Sequence, residues 1–244
     1  MNDDTTDTSL SAARAYVTRV CWPAHDLAAG VGISEADLRA LDAAGVVPAP
    51  TYRVGREGVE SAIGRIGEAG ADARGWFGPA VVVWLRRAVV AAEQVSLSRL
   101  GDALAEDLTN DLVAVLDASA ADAMIHGWTD LFRDGRCDPA AARAYVTQEW
   151  PAWMAGAWAV CLRRFDGRHL VIKEVERRRI SGLLETGVAT AMERLSLLDA
   201  MARLDAILLP FAPHERPTGT PGQFIDEPAR RFGLPWTVAD SGPT

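Results

Sequence analysis

From Trp150 to Phe165 the apolar residues Trp150, Trp153, Met154, Ala157, Trp158, Cys161, Leu162 and Phe165 stand at offsets 0, 3, 4, 7, 8, 11, 12 and 15. That spacing describes one continuous face of an α-helix. Pro151 suits the first turn of such a helix, where its missing N–H costs nothing. Ala152, Ala155, Gly156 and Ala159 make the opposite face small, so the pattern predicts a buried central helix that neighbours approach closely. Leu100, Leu104, Leu108, Leu112 and Leu116 recur every four residues, and Val81, Trp84, Leu85, Val89 and Ala92 also fall at helical spacing. After the Asp166-Gly167 turn, one helix is predicted from about Arg168 to Leu184 and another from Thr190 to about Leu209, stopped by Pro210.

The N-terminal pattern is shorter in period. Ala12 to Val20 reads as helix, and Asp26 to Gly30 as a short helix closed by glycine. Ser34 then caps a helix with Glu35 and Asp37 in its first turn and Gly45 at its end. Helix, glycine turn and capped helix outline a helix-turn-helix of the MerR-like kind. Residues 54–75 are Gly-rich and mixed in charge. The expected organisation is a disordered tail over 1–10, a helix-turn-helix-like module over 11–55, a linker or irregular segment over 56–78, a helical core over 79–213 and an irregular, Pro-rich tail over 214–244. The fold class is mainly α. One self-similarity stands out: Ala12-Ala13-Arg14-Ala15-Tyr16-Val17-Thr18 recurs as Ala141-Ala142-Arg143-Ala144-Tyr145-Val146-Thr147, each followed shortly by Trp-Pro-Ala.

Composition narrows the function classes. The 244 residues carry a net charge of −8, which disfavours nucleic acid as the main partner. Residues 1–60 hold nine acids against five arginines, and the would-be recognition helix sets Glu35, Asp37 and Asp42 against Arg39, a surface that would repel phosphates. No apolar run approaches a membrane span, and the polar start shows no signal peptide, so a cytoplasmic protein is expected. Three scattered cysteines and four isolated histidines predict neither a disulfide framework nor a metal site. No nucleotide loop or nucleophile elbow is present, and no cofactor is implied.

The residues that could carry chemistry lie beyond Trp150. Between Cys161 and Ile180 seven cations face three acids, a local +4 suited to a carboxylate, a phosphate or an acidic carrier protein. Lys173 is the single lysine beside 24 arginines. It shares a helix face with His169, Ile180 and Leu184, at the edge of an apolar stripe. Desolvation there would make it a base or nucleophile, with His169 as a proton carrier. A snorkelling lysine fits the same pattern. Asp205 sits in the stripe Leu198, Met201, Ala202, Leu208, Leu209 and needs a cation, for which Arg163 and Lys173 are candidates. It is either a general acid–base with Lys173 or half of a buried Asp–Arg pair. Arg163 is the candidate anion anchor. Trp150, Trp153 and Trp158 are candidate pocket walls or simply core.

Ala15-Tyr16-Val17, then Leu38-Arg39-Ala40-Leu41 with Gly45 and Pro48-Ala49-Pro50-Thr51-Tyr52, resembles the first motif of the domain-of-unknown-function family 6058. Gly156-Ala157-Trp158-Ala159-Val160-Cys161-Leu162-Arg163 with Ile172-Lys173-Glu174 is similar to its central motif, and Leu204-Asp205 with Pro210-Phe211-Ala212 to its last. The resemblance covers roughly 13–55 and 142–232. The stretch 54–75 departs from the family pattern, His169 replaces an expected acidic or polar residue, and 80–123 looks specific to this chain. The resemblance implies a cytoplasmic natural product biosynthesis protein of actinomycete-type bacteria. It also places Lys173, Arg163 and Asp205 on motif positions. The resulting expectation is a redox-cofactor-independent cyclase, lyase or condensation enzyme acting on an anionic or carrier-linked intermediate. The alternatives are a non-catalytic partner of a biosynthetic complex and a ligand-responsive helix-turn-helix regulator.

Overall fold

A computed structural model describes residues 3–236 of the chain. It is mainly helical, with a small antiparallel sheet. The first helix, α1 (Asp3–Val20), already runs through most of the stretch expected to be a disordered tail; residues 1–2 lie outside the described part. Strand β1 (Trp22–Pro23) follows, then α2 (Leu27–Val31) and α3 (Glu35–Ala43). Ser34 and Asp37 form a capping box at the start of α3, as the sequence anticipates. Leu27 and Val31 of α2 and Leu41 of α3 are buried in the main core, beside the helix α4 (Pro79–Ala92). Trp84 on α4 donates its indole N–H to the Val46 carbonyl at 2.9 Å.

The segment expected to be a linker is a sheet. Strands β2 (Tyr52–Val54), β3 (Glu57–Ser61), β4 (Arg65–Glu68) and β5 (Arg74–Phe77) join β1 in the order β1-β5-β2-β3-β4, every neighbour antiparallel. Glycine here serves close approach rather than flexibility. Gly58 pairs with Gly67, and a Cβ at Gly58 would lie 2.4 Å from the Glu68 carbonyl carbon. The inner face, carrying Tyr52 and Val59, packs with Leu10, Ala13, Tyr16 and Val17 of α1 and with Val160, Leu209 and Ala212 into a second small core.

The main core is built by α4, α5 (Leu100–Ala118), α6 (Ala120–Ile125), α7 (Pro139–Met154), α8 (Ala157–Cys161), α9 (Gly167–Thr186) and α10 (Ala191–Ile207). The leucines 100, 104, 108, 112 and 116 of α5 are all buried, and Thr190 caps α10 with a box to Glu193. The continuous helix expected over 150–165 does not form. α7 begins at Pro139, so Pro151 lies inside it, and the chain breaks at Gly156, whose φ of 82° ends one helix and starts the next. A Cβ at Gly156 would also sit 3.0 Å from the Ala49 carbonyl oxygen. After Ile207, an antiparallel bridge between Leu162 and Leu208 ties the exit of α8 to the exit of α10. The expected irregular tail holds a π-helical turn at Gly222–Asp226 and α11 (Glu227–Phe232); residues 237–244 of it lie outside the described part. No helix of the described residues is long and apolar enough to cross a membrane.

Candidate functional site

The candidate residues separate into three places. Lys173 on α9 is 7 % exposed, and its Nζ lies 3.9 Å from the centroid of the Trp158 ring. Trp158 is fixed in turn by donating its indole N–H to Glu149 at 3.0 Å. The ammonium therefore rests on the electron-rich face of an oriented indole. No carboxylate among the described residues forms an ion pair with it. Burial lowers the Lys173 pKa, with the neighbouring Cys161 thiol opposing. Burial likewise pushes the Cys161 thiol up, against the pull of Lys173.

The sign of this shift is testable. Above the ordinary lysine range both folded and unfolded chains carry a neutral amine. As pH falls through that range the unfolded chain protonates first, so stability declines until the folded amine is also charged. The Lys173 contribution to stability thus rises as pH climbs from the lowered pKa towards the normal lysine value, by at most about 1.4 kcal/mol per pH unit, while the raised pKa values of the buried thiols and tyrosines pull the total the other way. In Lys173→Met, urea titrations across that range are expected to lack this contribution, so the stability of the variant relative to the wild type falls as pH climbs. A difference that stays constant with pH would show that Lys173 makes no such contribution.

Asp205 is in a different place. Burial raises its pKa, the Arg216 and Arg163 guanidiniums pull it down, and Asp226 pushes it up. Arg216 itself clasps Asp226 with two hydrogen bonds of 2.8 Å. Asp205 is thus set among arginines, and the structure does not bring it into contact with Lys173. His169 is committed elsewhere: its backbone N–H and ring Nδ1 meet Asp166, the cap of α9, at 2.8 and 2.7 Å. Burial would raise the Asp166 pKa, but these His169 bonds hold it below the usual range. His169 therefore anchors a helix start through its backbone N–H and Nδ1.

The tryptophans also part. Trp153 is fully buried, stacked on Phe165 with centroids 4.1 Å apart and planes within 5°. Trp84 meets its edge at 5.4 Å. Trp153 is core. Trp150 is half-buried, edge-on to Trp84, and faces a surface groove. Arg177 and Arg179 are half-buried. Arg177 stacks on Phe224 at 4.9 Å, and Arg179 joins Arg203 around the fully buried Glu176.

Arg163 leads to the third place, which the sequence did not outline. The Leu162–Leu208 bridge positions it, and its Nε donates to the Leu208 carbonyl at 2.9 Å. There it borders a cleft of about 590 Å³ between α1, β1, α4 and the exits of α8 and α10. Arg19 and Arg164 stand on the same cleft, and no acid lines it. Among the described residues Arg19 and Arg164 make no ion pair. Val20, Trp22, Val83 and Leu209 supply an apolar wall, and Cys21 also lines the cleft, its thiol pushed up to about 12 by burial first and Glu215 second. Arg19 and Trp22 carried no signal, because nothing in the spacing ties residues 18–22 to 163–164.

Behind the cleft lies a buried carboxylate that sequence reasoning also missed. Glu215 is 2 % exposed and accepts hydrogen bonds from Tyr52, at 2.6 Å, and from Ser61. Tyr16 stacks edge-on against Tyr52 and donates to the Pro210 carbonyl at the cleft rim. His214 approaches Glu215 at 3.9 Å; burial lowers its pKa and Glu215 opposes. Among the described residues no group of three His, Cys, Asp or Glu side chains is placed to hold a metal ion.

A family model described as "Family of unknown function (DUF6058)" matches residues 102–233, more than half of the chain. The chain belongs to DUF6058. The match starts within the stretch expected to be specific to this protein, so 102–123 is part of the DUF6058 region, whereas the N-terminal motif over 13–55 lies outside it. No curated protein and no solved structure matches the chain. Arg163, Arg164, Leu209 and Pro210 of the cleft fall inside the DUF6058 region; Arg19, Trp22 and Val83 come from outside it.

Proposed function

We propose that this protein binds an anionic small molecule with an apolar body, and that the arginine-walled cleft is where it does so. The supporting observation is the lining itself. Three guanidiniums and no carboxylate border a cleft of about 590 Å³ whose other wall is apolar. That volume lies in the range of small-molecule sites, which combine an apolar lining with a few placed polar groups. Guanidiniums suit carboxylate or phosphate through paired N–H donors. The setting we propose is handling an intermediate of specialised metabolism, as the family resemblance implies. In this reading Arg163 is part of the anion anchor. Lys173 and Asp205 have no reacting role, because neither lines the cleft and they do not meet each other. The acidic exposed residues of α3, Glu35, Asp37 and Asp42, favour a small-molecule ligand over nucleic acid.

Trp22 lines the cleft and is 38 % exposed, so its fluorescence reports occupancy. Octanoate is expected to change the emission of the wild type, and 1-octanol is not. Arg19→Gln/Arg164→Gln, both at exposed positions, is expected to weaken octanoate by about tenfold or more, roughly the value of one charge-assisted contact. Trp22→Phe should remove the signal but not the heat of binding. Equal binding of octanol and octanoate, or full affinity in the double variant, would overturn the proposal.

A further inference from the structure

The repeated segment noted in the sequence places its two copies against two different grooves. The first copy, on α1, brings Thr18 and the following Trp22 to the arginine cleft. The second, on α7, brings Thr147 and the following Trp150 to a groove of about 450 Å³ where α3 ends against α5 and α7. The two copies treat their shared arginine differently. Arg14 is consumed structurally, donating to the Gly55 carbonyl at 2.9 Å and to that of Arg56. Its counterpart Arg143 lines the second groove, and its guanidinium makes no hydrogen bond or ion pair among the described residues.

We propose that this second groove binds an α-amino acid zwitterion with an apolar side chain, carboxylate on Arg143, ammonium on Asp102 and side chain against Trp150. Asp102 lines the same groove from the first turn of α5. Its ion partner Arg99 is 3.9 Å away with both side chains about three-quarters exposed, so the carboxylate is open to a better cation. Trp150 and Pro151 supply the groove's large apolar lining. Trp84 holds the Trp150 ring edge-on at 5.4 Å, so this lining is preformed. Ser98 and Thr147 add hydroxyls at the rim. One guanidinium and one carboxylate give a groove with no net charge. A dianion would be repelled by Asp102 and a simple cation by Arg143, whereas a zwitterion satisfies both. This site shares no residue with the arginine cleft and does not depend on what that cleft binds.

Isothermal titration with L-phenylalanine on the full chain near neutral pH tests the assignment. Arg143 and Asp102 are exposed, so Arg143→Gln and Asp102→Asn are expected to keep the wild-type melting temperature. Each is expected to weaken L-phenylalanine by about tenfold or more, while Arg164→Gln in the other cleft leaves it unchanged. L-phenylalaninamide, which lacks the carboxylate, is expected to bind the wild type as poorly as L-phenylalanine binds Arg143→Gln. The proposal is overturned if L-phenylalanine gives no heat at millimolar concentration, if both groove variants bind like the wild type, or if Arg164→Gln is the one that loses binding.

Discussion

Replacing Trp153 by alanine is expected to destabilise the protein by about 3–5 kcal/mol, the usual cost of emptying a large aromatic site in a core. The indole is fully buried, parallel to Phe165 at 4.1 Å and met edge-on by Trp84. Trp84 and Phe165 therefore lose a partner together, at the point where the break at Gly156 separates α7 from α8. Trp153→Phe separates shape from chemistry. The indole N–H is buried without a hydrogen-bond partner, so losing it removes an unsatisfied group, and the smaller ring is expected to cost less than about 1.5 kcal/mol. Urea unfolding followed by circular dichroism reads both. A loss below about 1 kcal/mol for the alanine variant would mean that this tryptophan is not structural.

The second large effect concerns the join between the sheet and the helices. Tyr52→Phe is expected to cost about 1.5–3 kcal/mol, the range for a hydrogen bond to a charged group. It leaves the Glu215 carboxylate, 2 % exposed, with Ser61 as its remaining hydroxyl donor. Ser61→Ala weakens the same carboxylate from the other side. The two losses are expected to be non-additive in a double-mutant cycle, because both donors serve one buried charge. Additive and small effects would show that Glu215 does not hold the sheet in place. His214, half-buried and with neither ring nitrogen hydrogen-bonded, offers only a distant contact at 3.9 Å in compensation.

Lys173 shows how far a stripe on a helix can be read. Its position at an apolar edge left both a desolvated amine and a snorkelling one open, and the structure buries it. The residue it meets could not be read, because Trp158 reaches it only after Gly156 has turned α8 out of line with α7. Helical offsets counted through Gly156 thus joined two separate faces. Asp205 needed a cation, and Arg163 is among those near it, but Arg216 is the stronger and lies in a segment that looked irregular. The sheet escaped notice because its glycines break the alternation of apolar and polar positions. Its buried side chains, Tyr52, Val59 and Phe77, number too few to show a period of two.

What the sequence determined by itself was local. The caps at Ser34 and Thr190, the leucine ladder of α5 and the extents of α9 and α10 all rest on interactions within four residues along one chain segment. Tertiary structure alone decided the sheet and the arginine cleft, whose walls come from residues 18–22, 79–83, 163–164 and 209–210. The reason is physical. A helix records its period in neighbours that touch, whereas a cleft is defined by segments that meet only when Leu162 pairs with Leu208 and α1 closes over the sheet.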